Sequence, residues 1–190
     1  MATLPRYEPE VEPEFESDFE PRYISEEEYL NSDYEPDCDY VDGHLEERNL
    51  GERDHAFLQI ILGSIFMNNR KSWGVVAATD WRNQVKRSNY RVPDLTILPI
   101  GSSKDRVLHQ APLLIVEILS PRDTLNAMVK RCQDYLNFGV SNIWIIDPES
   151  RKAWYCTSVG AVPVESGELA VPETPIRVGL AELFAELDAM

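Results

Sequence analysis

Two carboxylates stand out because nothing around them is polar. Glu117 lies in PLLIVEILS (112–120), where every neighbour is apolar. Strand alternation puts Leu113, Ile115, Glu117 and Leu119 on one face. An ionised carboxylate in such a setting costs several kcal/mol unless it is paired or bound to a cation. Asp94 follows Pro93 in RVPDLTIL, at the start of a second strand, where a side chain can reach an open sheet end. Taken singly, Glu117 reads as a buried acid matched by an arginine and Asp94 as a turn residue. Together, with no His or Cys cluster beside them, they suit a hard divalent cation: Mg²⁺, with Mn²⁺ as an alternative. A cation so held activates water and neutralises charge developing on a phosphodiester.

His55 and Gln59 are four residues apart on an apolar helix and share a face, so they are candidates to orient water or a carboxylate. Glu52, just before that helix, is a candidate third acidic ligand or simply a favourable charge at its N-terminus. Glu46 and Glu47 are lesser candidates, and His44 and His109 stand at no ligand spacing. The segment WRNQVKRSNYR (81–91) interleaves Arg82, Lys86, Arg87 and Arg91 with Trp81 and Tyr90. Cations of that kind contact phosphates and aromatics stack on unpaired bases, although a solvated hairpin has the same composition. Arg70 and Lys71 would extend the patch.

The elements that must position these residues follow from pattern. Ser25 and Glu28 have the spacing of a capping box. Asp42-Gly43 between Tyr40-Val41 and His44-Leu45 marks a hairpin. Asp54 is placed to cap a helix to about Asn69, apolar on almost every side and so expected to be buried. Strands are expected at 74–79, 84–88, 94–100 and 112–120, the last apolar on both faces like a central strand. Residues 124–138 carry a helical apolar stripe ended by Gly139. Strands at 142–147 and 152–157, a β segment near Gly167 and a helix over 180–187 complete the chain. This order predicts one α/β (α+β) domain, a mixed β-sheet flanked by helices.

Charge is divided unevenly along the chain. Of 190 residues, 33 are acidic and 18 basic, for a net −15. Residues 1–47 hold 17 of the acids and only Arg6 and Arg22, so the rest is neutral. The acidic pI therefore belongs to the N-terminal third and does not exclude a nucleic-acid partner. Residues 1–22, rich in Glu and Pro, are expected to be a disordered acidic tail ahead of a domain at 23–190. A solubilising leader is the plain reading of that tail, and an internal DNA mimic the sharper one. Three widely spaced cysteines with no CxxC pair argue against a disulfide scaffold or zinc ribbon. Without a signal-peptide pattern at the start or a membrane-length apolar run, a cytoplasmic protein with no membrane role is expected.

Pro93-Asp94, then IVEILSP (115–121), a helix, YLNFGV (135–140) and WIIDP (144–148) together resemble the Uma family of restriction endonucleases. That family is a branch of the PD-(D/E)XK superfamily. The segment 26–59, with Asp42-Gly43 and His55, is similar as well. The resemblance spans roughly 23–187. It implies a restriction-endonuclease-like fold and Mg²⁺-dependent hydrolysis of DNA, with Asp94 and Glu117 matching the metal-binding carboxylates. The superfamily's lysine, two residues after the Glu, is replaced here by Leu119. In the Uma branch a basic residue four positions before the Tyr takes that role, which is Arg131 here, with Lys130 next to it. On a helical wheel Arg131 falls beside Tyr135 at the flank of the apolar stripe, and Lys130 nearly opposite, so Arg131 is the better placed. Arginine stays protonated and cannot act as a general base.

The sequence therefore points to a metal-dependent DNase, with a homodimer expected where both strands of a duplex are cut. A catalytically inactive nuclease-fold module binding nucleic acid or protein is the alternative. A carboxylate-pair glycosidase would use the same two acids without a metal.

Overall fold

A computed structural model describes residues 23–34, 37–49 and 51–190; the tail expected at 1–22 lies outside them. The chain runs α1 (Glu26–Asn31), β1 (Cys38–Val41), β2 (His44–Glu47), α2 (Arg53–Asn68), α3 (Arg70–Trp73), β3 (Val75–Thr79), β4 (Asn83–Lys86), β5 (Asn89–Arg91) and β6 (Leu95–Pro99). It continues through β7 (Leu114–Ile118), α4 (Leu125–Phe138), β8 (Ile143–Asp147), β9 (Lys152–Thr157), β10 (Gly160–Pro163), β11 (Glu168–Ala170), β12 (Arg177–Gly179) and α5 (Leu180–Asp188).

The main sheet has six strands in the order β10-β9-β8-β7-β6-β3. Only β7 and β8 in it are parallel, joined by α4 as a crossover helix, and the remaining pairs are antiparallel. Alternation along β7 sorts its side chains between two cores. Leu114, Val116 and Ile118 pack with Leu58, Leu62 and Phe66 of α2 and Leu183 and Phe184 of α5. Ile115 and Leu119 face Met128, Cys132 and Tyr135 of α4. Glu117 shares the α4 side by the same alternation. Helices thus cover both faces of the central strands, which explains why β7 reads as a continuous apolar run.

A second sheet, β2-β1-β5-β4, packs its Tyr40 and Tyr90 against Tyr29 of α1. Ser25 caps α1, its hydroxyl accepting from the Glu28 N–H at 3.1 Å. The β1–β2 turn is the expected one: Asp42 and Gly43 both have positive φ, +47° and +94°, which the two-residue hairpin demands. Arg87-Ser88 forms a similar tight turn, so the single strand expected over 84–88 is instead the hairpin β4–β5. Ser88 takes φ +58° there, a conformation its type does not advertise.

Two expectations about α2 are corrected. Its N-cap is Glu52, without a side-chain bond to the helix, rather than Asp54. It buries one face only: Leu58 and Leu62 are inaccessible, whereas Ile60 is 67% exposed. Among the described residues no helix is long and apolar enough to cross a membrane, and Cys38, Cys132 and Cys156 are buried and in no disulfide.

Candidate active site

Glu117 sits mid-strand in β7, and Leu95 at the start of β6 pairs with Val116. Extending that antiparallel register by one residue lays Asp94 alongside Glu117. Both carboxylates are 1% exposed. Their surroundings differ, and so do their protonation preferences.

Asp94 is held by three donors. The Ile118 N–H donates to Oδ2 at 2.7 Å. His55 Nε2 lies 3.3 Å from the same oxygen. Arg48 forms an ion pair with Oδ1. Burial works against the anion, but the His55 hydrogen bond, the Arg48 charge and the Ile118 N–H overcome it, and the carboxyl is held below its usual range. The reciprocal effect raises His55: burial opposes the imidazolium, and the bond to Asp94 outweighs it.

Glu117 is gripped from α4 at one oxygen. The Tyr135 hydroxyl donates to Oε1 at 2.6 Å, and Arg131 Nε stands 3.1 Å from that atom. The second contact is an ion pair by distance, since the Nε–H finds no acceptor in hydrogen-bonding geometry. Burial, then the Asp94 charge, push the Glu117 carboxyl up to about 7, against the pull of Arg131. One acid held ionised beside another poised near neutrality is a common outcome of two carboxylates at close quarters. Arg131 also donates to the Val92 carbonyl at 2.8 Å and to Asp39 Oδ1 at 3.2 Å. Lys130 is exposed, as the helical wheel indicates.

From α2, Gln59 donates to the Asp94 backbone carbonyl at 2.9 Å and reaches Asp80 at 3.3 Å. His55 and Gln59, one turn apart, thus both face the pair. Glu52 is exposed and lines, with His55, Ser120 and Asp147, a cavity of about 400 Å³ at the carboxyl ends of β7 and β8. Among the described residues no three His, Cys, Asp or Glu side chains form a ready metal cage.

Two further residues carry the site, and neither was singled out by pattern. Arg48, just past β2, bridges Asp94 and Asp80, the latter at 3.0 Å. Asp39 in β1 is 1% exposed and accepts from the Val92 N–H at 2.8 Å and from both Arg91 and Arg131. The one available cue for Asp39 was its position between buried Cys38 and Tyr40. Arg48 sits in the polar run EERN and offered none.

The basic segment 81–91 divides. Arg91 is 8% exposed and contacts Asp39, Glu46 and Asp134. Arg82 stacks 4.7 Å from the Tyr29 ring and pairs with Asp37 at 3.7 Å. Lys86 and Arg87 are exposed, Lys86 lying 3.5 Å from Asp42.

The donor set fits a hard divalent ion. Both acids offer oxygens from adjacent strands. Neither Tyr135 nor Arg131 approaches Glu117 Oε2 in a hydrogen bond or ion pair, and one or two carboxylates with water suffice for Mg²⁺.

Comparison with known proteins bears on the fold and the family. A solved structure described as a "putative nuclease belonging to DUF820" from Anabaena variabilis ATCC 29413 superposes with a TM-score of 0.71. It is 20% identical, and the match covers 85% of this chain and 97% of that one, so the two share a fold. A cryo-EM structure of a DrdV–DNA complex aligns at a TM-score of 0.39 and 17% identity, over 67% of this chain and 10% of that one, too loosely to bear on the site. No curated protein matches. The family Uma2, described as "Putative restriction endonuclease", matches residues 26–186. The chain belongs to that family.

Proposed function

We propose that the protein is a metal-dependent nuclease that hydrolyses DNA phosphodiester bonds at the Asp94–Glu117 pair. The observation that carries this reading is the placement of two buried carboxylates side by side, Asp94 at the entry to β6 and Glu117 on β7, one held ionised and the other poised near neutrality. Asp94 and Glu117 would hold Mg²⁺ or Mn²⁺. Glu52 stands on the neighbouring cavity as an outer candidate. Bound there, the ion would supply a water of lowered pKa and neutralise charge developing on the phosphate.

The remaining work falls to this chain's own groups. Tyr135 fixes the orientation of Glu117 through its hydroxyl. Arg131 keeps its proton and offers a positive charge to Glu117 and to an incoming phosphate, and does not act as a base. His55 and Gln59 hold Asp94 in place from α2. Lys86 and Arg87, exposed at the β4–β5 turn, are the members of the basic segment placed to meet DNA phosphates, Lys86 by giving up its exposed contact with Asp42. A duplex has two strands, so a double cut calls for two copies of the site, as in a homodimer.

Two observations favour a second reading, a nuclease-fold module that binds nucleic acid without turnover. The position two residues after Glu117 is buried Leu119 in place of a lysine, and both acids are already met by arginines. Incubation with duplex DNA, single-stranded DNA and RNA in EDTA, Ca²⁺, Mg²⁺ and Mn²⁺ separates the two. Cutting of DNA in Mg²⁺ or Mn²⁺ but not in EDTA supports the nuclease. Binding without cutting under all conditions supports the module.

A further inference from the structure

We propose that Arg48 is a built-in counter-cation that competes with the divalent ion for Asp94 and pivots on Asp80 to release it. The inference rests on the reading of Asp94 and Glu117 as the metal pair.

The guanidinium of Arg48 is forked between two carboxylates of unlike setting. One nitrogen pairs with buried Asp94, and the other lies 3.0 Å from Asp80, whose side chain is 48% exposed. The Asp94 carboxylate is crowded: besides Arg48 it takes the Ile118 N–H at 2.7 Å and His55 at 3.3 Å. A carboxylate has about four acceptor positions, so a cation arriving at Asp94 meets the donors already there. The Ile118 amide is fixed by the β7 backbone, and His55 is fixed on α2. Arg48 lies in the connection from β2 to α2, outside both elements. It is also the donor with a second partner. Asp80 is itself steadied by Gln59 at 3.3 Å, the residue that also binds the Asp94 carbonyl. Asp80 has φ +49° in the turn after β3, which turns its side chain out of the strand pattern.

A guanidinium and a divalent ion on one carboxylate repel strongly at low effective dielectric. Rotation of Arg48 about its Asp80 contact separates them without leaving the arginine unpaired. The site thus carries its own positive charge when no ion is present, and this keeps buried Asp94 from standing uncompensated. The freed guanidinium is then positioned at the rim of the site, where a phosphate would arrive.

Mn²⁺ binding, followed by electron paramagnetic resonance of the free ion, tests this without reference to turnover. Arg48→Met should bind Mn²⁺ about tenfold more tightly than the wild type, and Asp80→Asn about threefold more weakly, because the arginine then has Asp94 alone. In the double variant the Asp80→Asn effect should vanish, since it acts through Arg48. Arg48→Lys keeps the charge but cannot bridge two carboxylates, so, like Asp80→Asn, it should bind more weakly than wild type.

Equal or weaker binding by Arg48→Met overturns the proposal. So does an Asp80→Asn effect of the same size with and without Arg48, which would mean a through-space field alone. If wild type binds Mn²⁺, loses it in Glu117→Gln and is indifferent to Arg48, the metal pair stands and the Arg48 role falls. If neither wild type nor Arg48→Met binds Mn²⁺, the metal pair itself is wrong and both fall together.

Discussion

At the scale of single residues, the buried site holds protons more firmly than the unfolded chain does. Glu117 is pushed from 4.5 up to about 7 by burial, and His55 is raised from 6.5 by its bond to Asp94 despite burial. Both keep a proton in the folded protein at pH values where the unfolded chain has lost it. Stability of the metal-free protein therefore falls as pH rises, from about 5 to 7 through Glu117 and from above 6.5 through His55. Asp94 works in the opposite sense, and because its carboxyl is depressed its contribution is lost only in acid, below the usual carboxylate range. Thermal midpoints in EDTA across pH 5 to 8 should decline for wild type. Glu117→Gln, which retains an acceptor for Tyr135, should lose the part of the decline below pH 7. A flat wild-type profile would contradict the assignment. On the proposed reading the Glu117 proton must leave for the ion to bind, so Mg²⁺ affinity should climb with pH over about 5 to 7. Tyr135→Phe should cost on the order of 1 kcal/mol of stability and lower turnover through a loosened Glu117, detectable as a fall in kcat with little change in KM.

Elements succeed or fail by how they deliver these side chains. Much of the delivery was legible in the sequence. The apolar run around Glu117 marks β7 as central, and the α4 periodicity places Arg131 beside Tyr135 and turns Lys130 outward, as found. What was not legible depends on partners distant in the chain. Arg48 meets Asp94 46 residues away, and nothing in the local composition signals it. Arg82 and Arg91 look like Lys86 and Arg87 in a composition scan, yet they stand inside the fold against Asp37, Tyr29, Asp39 and Asp134. The cue that separates Arg91 is its position just before buried Val92 and Pro93. Because three carboxylates converge on it, Arg91→Ala should destabilise by about 3–5 kcal/mol, read as a fall in the urea midpoint. At the end of α4, Gly139 closes the helix at φ +103°. Gly139→Ala should cost about 1–2 kcal/mol through backbone strain alone, since the nearest atom to the added methyl is 3.6 Å away. Unchanged stability in that variant would mean the helix ends differently.

For the whole molecule, charge is the discriminating property. The acids concentrate in residues 1–47, and the remainder is balanced, so net charge does not mark a nucleic-acid surface, and the proposed DNA contact is a local one. Replacing Lys86 and Arg87 by Ala should reduce the slope of log affinity for DNA against log salt by about 1–2. Conserved affinity and slope in that double variant would move the contact elsewhere. Family membership over residues 26–186 and the shared fold set the frame for these expectations, and chemistry at Asp94 and Glu117 decides whether the frame is a working nuclease. The most direct measurement is nicking of supercoiled plasmid by purified wild type and Glu117→Gln, side by side, in Mg²⁺ and in Mn²⁺. The account predicts metal-dependent nicking by wild type and its loss in the variant, with the variant still folded. Nicking of equal rate in both proteins would contradict it.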